Sequence, residues 1–179
     1  MSPPDAGLLL AGFVLAHAAW NVSDLPKGEL LVPLAIVERG KKRELIRFEA
    51  DTQEAAIGKG KAMMAELGTS VDAWAFARDG LLRDPETGGA VDVLIIDFWA
   101  KGMESPANLI QRYEPFAKRR KFRLFGKEFR LLGEPMVSID GVALQPRDSK
   151  PLLEVILRGI QQHSKVAPLW SNWQGAAKQ

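Results

Sequence analysis

Carboxylates come first among the residues that could do chemistry. Asp92 and Asp97 lie in VDVLIIDFWA, residues 91–100. Strand alternation sets Asp97 on one face with Val93, Ile95 and Trp99, and Asp92 on the other with Leu94, Ile96 and Phe98. Both faces are largely apolar, as in a central strand covered on both sides. A carboxylate there is costly unless paired or hydrogen-bonded, and such surroundings shift its proton affinity. Asp97 is therefore the catalytic candidate. The structural alternative is an ion pair with Arg47 or Arg78 on a neighbouring strand, or a place at the strand rim. No second carboxylate at a fixed spacing completes an acid/base pair, so the structural role is preferred.

Two other constellations imitate catalytic or nucleotide-binding motifs. His17 is followed by Ser23 and Asp24, but no G-x-S-x-G elbow is present and triads are assembled from distant segments. His17 reads as a partly buried residue near a helix end. Gly58-Lys59-Gly60-Lys61 invites a phosphate-loop reading, yet Ala62 stands where the hydroxyl should be. Those glycines fall inside an expected helix. Gly60 shares a stripe with Ala56, Met63, Met64 and Leu67, which points to close packing on a sheet.

Charge is concentrated in one place. Between Lys118 and Arg130 stand Lys118, Arg119, Arg120, Lys121, Arg123, Lys127 and Arg130 against the single acid Glu128. The segment carries +6 and the rest of the chain −4, within a net charge of +2. A single-stranded nucleic-acid platform would need aromatic faces on the same side as this charge. Instead Phe122 and Leu124 share one face of their strand, and Phe129 and Leu131 one face of theirs, opposite Arg123 and Arg130. Only Phe125 shares a phase with Arg123. The stretch is thus a candidate site for an anion or an acidic partner, with nucleic acid ranked behind a plain solvated face.

Five tryptophans is a high count for 179 residues. Trp170 and Trp173 lie in APLWSNW, whose proline argues against one regular helix. They either seal the core or anchor a partner. With no cysteine and two histidines, disulfides, thiolate catalysis and cysteine-based zinc sites are excluded. Histidine-built metal sites have little room, and no metal or cofactor is expected.

The elements that must position these residues follow from period and punctuation. Asp5 as N-cap opens a helix over 5–22, apolar nearly all round, with Leu8, Gly12, Leu15 and Ala19 on one stripe. A signal peptide over 1–18 is disfavoured, since MSPPD lacks the basic n-region, and fifteen apolar residues are too few for a membrane span, which needs about twenty. Strands are expected over 31–38, with Pro33 marking an edge or bulge, and over 44–49. A helix capped by Asp51 runs to about Leu67 before Gly68. Strands over 73–78 and 91–100 form a second hairpin, and Ser105-Pro106 opens a short helix carrying Leu109, Ile110 and Tyr113. Short strands follow at 122–125, 129–132, 136–139 and 142–144, turning at Asp140-Gly141. Asp148 or Ser149 opens the last helix, with Pro151 in its first turn, and a polar tail begins near 174.

The pattern is a helix, then three strand–strand–helix units of about 40–50 residues each. It describes a single α+β domain over 1–179, with a mainly antiparallel sheet built from hairpins and helices packed on one side. The alanine face of Ala73, Ala75 and Ala77 would admit a helix or a second subunit at close range. The expected function is that of a non-catalytic, cytoplasmic protein-binding or self-associating module, with a homo-oligomer as the expected state. Nucleic-acid binding through 118–130 and a small-molecule enzyme built on Asp97 are the alternatives.

Overall fold

The computed structural model describes residues 2–26, 28–116 and 128–175. In chain order the elements are α1 (Asp5–Val22), β1 (Leu34–Arg39), β2 (Lys42–Arg47), α2 (Gln53–Leu67), β3 (Ala73–Arg83), β4 (Ala90–Ala100), β5 (Ala107–Glu114), β6 (Arg130–Ile139), β7 (Val142–Ala143), α3 (Pro146–Gln161) and α4 (Ala167–Gly175). The strands form one sheet in the order β2-β1-β3-β4-β5-β6-β7, each antiparallel to its neighbours. This is the expected α+β fold with an antiparallel sheet.

Alternation along the central strands divides the interior into two cores. Leu34 and Ile36 of β1, Ala73, Ala75 and Ala77 of β3, and Leu94, Ile96 and Phe98 of β4 pack with α1, α3 and α4. The residues between them, Ala35, Val37, Trp74, Phe76 and Trp99, pack with Ala56 and Met64 of α2. Three of the four helices therefore share one face, and α2 covers the other.

The alanine face of β3 receives α1, whose Gly7 lies against Ala100 and Phe98. On its far side α1 meets α3 at backbone distance. A Cβ on Gly12 would come within 2.0 Å of the Ile156 carbonyl oxygen, and one on Gly159 within 2.1 Å of that of Leu9. Being sandwiched between a sheet and a helix explains why α1 is apolar nearly all round. Its eighteen residues have a mean hydropathy of 1.3, enough by length and composition to cross a membrane, and 61% of them are buried within the fold. Gly60 does the same work on the opposite face, where a Cβ would meet the Phe76 ring at 2.3 Å.

Several local expectations are corrected. The segment opened by Ser105-Pro106 is strand β5, not a helix, so the rhythm of three strand–strand–helix units fails in its second unit. β4 is buried on both faces at the middle of the sheet, and both its edges need partners. β5 supplies one edge, with Ala107, Leu109, Gln111 and Tyr113 turned inward at period two. The strands expected at 129–132 and 136–139 are one bulged strand, β6. Its pairing with β5 slips between Ile110 and Arg112, where Gly133 takes φ 70° and Pro135 needs no ladder donor. Gln111, fully buried, fills the irregularity by donating to the carbonyls of Arg112, Leu132 and Gly133.

Pro33 precedes β1, which is an interior strand, and the Pro33 carbonyl accepts from the Phe48 N–H at 2.8 Å. Thr52, not Asp51, caps α2, accepting from the Ala55 N–H at 3.1 Å. Helix α3 starts at Pro146, ahead of Asp148 and Ser149, which leaves Pro151 beyond its first turn. APLWSNW is one helix after all, because Pro168 sits in its first turn where no intrahelical donor is missed. The strand expected at 122–125 lies outside the described residues, as does the tail beyond Gly175.

Candidate functional site

Asp97 lies on the α2 face of β4, directly between Phe76 of β3 and Asn108 of β5. The Arg78 guanidinium donates to its Oδ2 and the Asn108 amide to its Oδ1. Of the two ion-pair partners expected, Arg78 is the one found. Each side chain of the pair is 15% exposed, so the charges are shielded but reachable from solvent.

They are reachable because α2 covers only part of this face. Between the C-terminal half of α2, strands β3 and β4, and the β4–β5 turn there is a recess of about 450 Å³. Its apolar lining comes from Met64, Trp74, Phe76, Trp99 and Met103, and Asp97 supplies a carboxylate. Lys61 and Glu104, both exposed, also border it. One wall is fixed by Trp99, whose indole N–H donates to the Met103 carbonyl at 2.9 Å, while the Ala100 N–H lies 3.3 Å from the Met103 sulfur. Gly68, with φ 50°, ends α2 and clears the rim. The whole arrangement can hold an apolar group beside a hydrogen-bond acceptor.

The more deeply buried acid is a different one. Asp79 continues the alanine face of β3 and accepts from the Leu31 N–H and, at 2.7 Å, from the Tyr113 hydroxyl. Burial raises its proton affinity above the ordinary aspartate range, opposed by those two donors. Burial, reinforced by Asp79, likewise holds the Tyr113 hydroxyl protonated far above its usual range. Neither residue was singled out for chemistry from sequence. Extending the Ala73-Ala75-Ala77 alternation by one step marks Asp79; Tyr113 was hidden by the helix assigned to its segment.

His17 sits on α1 with its Nδ1 3.1 Å from Nε2 of His163, beyond the end of α3. The Phe13 ring lies tilted against His163 at 5.2 Å, and the Arg43 guanidinium lies 4.5 Å over the Phe13 ring. Burial lowers the proton affinity of both histidines; for His17 the nearby His163, Arg47 and Lys165 add to the effect. Among the described residues no three histidine, aspartate or glutamate side chains converge as a metal ion would require.

The remaining candidates separate. Lys118, Arg119, Arg120, Lys121 and Arg123 lie outside the described residues. Arg130 opens β6 and pairs with Glu114 of β5 at 2.9 Å. Trp170 is buried in the core, and Trp173 stands edge-on to Phe129 at 5.0 Å and near Trp170 at 6.3 Å. Asp97 is thus brought together with the recess, while the basic and tryptophan candidates belong to other parts of the fold. Comparison of this chain with protein-family models, with curated proteins and with solved structures finds no match in any of the three.

Proposed function

We propose that this protein is a non-catalytic binding module that takes an apolar group of its ligand into the recess between α2 and the sheet. The observation that carries the reading is the recess itself, where three aromatic rings and two thioethers surround a carboxylate already held by Arg78 and Asn108. Small-molecule and side-chain pockets have this make-up, an apolar lining with a few fixed polar groups. A general acid or base needs freedom to exchange a proton with substrate and a second group to complete the cycle. Asp97, tied on both oxygens, is better suited to recognition.

Self-association drew its support from the apolar α1 and from Trp170 and Trp173, and those residues pack within the protomer. We read α1, buried against the sheet and α3, as a core helix, and the protein as cytoplasmic. The nucleic-acid reading keeps only Arg130 among the described residues, and Arg130 is paired with Glu114.

Ala65 is exposed and borders the recess, so Ala65→Trp would fill it from the rim without touching the core. A library of aromatic and aliphatic fragments screened by saturation-transfer NMR should give millimolar or tighter binders that Ala65→Trp displaces. Absence of any binder, or binding unaffected by that substitution, sinks the reading.

A further inference from the structure

The chemistry of the ligand follows from what the recess offers and what it lacks. Its enclosed polar group is the Asp97 carboxylate, which accepts hydrogen bonds and donates none. A carboxylate has about four lone-pair sites. Arg78 uses Oδ2 and Asn108 uses Oδ1, so each oxygen keeps room for one more donor. A ligand carboxylate or carbonyl placed there would meet lone pairs; an N–H group would be bonded.

Polarisability points the same way, and the local charges, which balance once Arg78 is included, do not oppose it. Two carboxylates, Asp97 and Glu104, border the recess against one ammonium, Lys61. Lys61 is exposed on α2, and its flexible stem lets that charge move into solvent. Arg78 neutralises part of the Asp97 charge but is not itself part of the lining. The rings of Trp74, Phe76 and Trp99 present electron-rich faces, which attract cations and bury hydrocarbon equally well. A volume of about 450 Å³ suits a compact organic molecule or a single bulky side chain with its backbone.

We infer that the recess binds a primary ammonium attached to an aromatic or aliphatic body, with the ammonium on Asp97 and the body among Met64, Trp74 and Trp99. The inference rests on the recess being the ligand site, as proposed above. The same chemistry is carried by a free amine and by a polypeptide N-terminus whose first residue is bulky and apolar.

The test uses three matched probes on the full chain at neutral pH: phenethylamine, phenethyl alcohol and hydrocinnamate. Calorimetry gives the affinities, and the indole N–H resonance of Trp99 reports the place. Phenethylamine should bind at least about tenfold tighter than hydrocinnamate and should move that resonance. Asp97→Asn should abolish the preference. Because that change also disturbs the Arg78 pair, Glu104→Gln serves as the gentler variant, weakening the amine severalfold and leaving the alcohol unchanged. Phenylalanine amide separates the two sources: tighter binding than phenethylamine favours a polypeptide N-terminus, and weaker binding a free amine. Equal or better binding of hydrocinnamate or of the alcohol overturns the ammonium assignment while leaving the recess as a ligand site. No binding by any probe overturns both.

Discussion

His17 Nδ1 and His163 Nε2 lie 3.1 Å apart, so one of the two nitrogens carries a proton and the other must not. The pair ties α1 to the connection between α3 and α4, with Arg43, Arg47 and Lys165 as its charged neighbours. Cations on that side and burial together disfavour a doubly protonated state.

The consequence for stability has a definite sign. Both histidines bind protons more weakly when folded than when unfolded, so the unfolded chain takes up more protons below a pH of about 6.5. Their contribution is intact above that value and is lost as the pH falls through it. Urea unfolding between neutral pH and pH about 5 should show declining stability, and His163→Gln should flatten the decline. An unchanged slope in that variant would place the acid sensitivity elsewhere.

Asp79 acts in the opposite direction. Its folded proton affinity is raised, so its protonated form is favoured by the fold and its ionised form carries a penalty at neutral pH. Asp79→Asn retains an acceptor for the Leu31 N–H and removes that penalty; its stability at pH 7 should stay within about 1 kcal/mol of the wild type. Asp79→Ala leaves the Leu31 N–H and the Tyr113 hydroxyl without their acceptor and should cost about 3 kcal/mol. Denaturant midpoints of the two variants discriminate these outcomes.

Close backbone contact between α1 and α3 makes its glycines irreplaceable. Gly12→Ala and Gly159→Ala each drive a methyl into a carbonyl that cannot rotate away, and each should cost about 3 kcal/mol or prevent folding. Gly60→Ala meets the Phe76 ring, which can shift, and should cost about 1–2 kcal/mol. Thermal unfolding of the three variants gives the order directly.

Arg78 and Asp97 should be coupled. Either single alanine substitution strands a shielded charge and should cost about 2 kcal/mol, a figure reduced from that of a fully buried pair by the 15% exposure of both side chains. The double variant should lose less than the sum, and strict additivity in the cycle would deny the pair a stabilising role.

Much of this arrangement was legible because local signals agreed with the global fold. The helix over 5–22 and the Asp140-Gly141 turn, with φ of 51° and 77°, needed no long-range information. Strand adjacency offered Arg47 and Arg78 alike as partners for Asp97, and only the packed sheet selects Arg78. β5 was not legible, since a Ser-Pro start signal indicates a helix locally and only the open edge of β4 makes it a strand. The recess was equally hidden. It exists because α2 crosses to the opposite face from α1, and the order of hairpins does not say which face a connecting helix takes.

The sandwiching of α1 has a consequence for biosynthesis. α1 leaves the ribosome ahead of every strand of the sheet, and the Ile156–Gly159 backbone that covers its outer side follows all of them. Until then an apolar helix with no covering partner must wait through the assembly of the whole sheet. Such long-range closure is slow and leaves sticky surface exposed meanwhile. Nascent chains halted before α3 should therefore engage chaperones at α1, and release of that engagement should coincide with the emergence of Gly159.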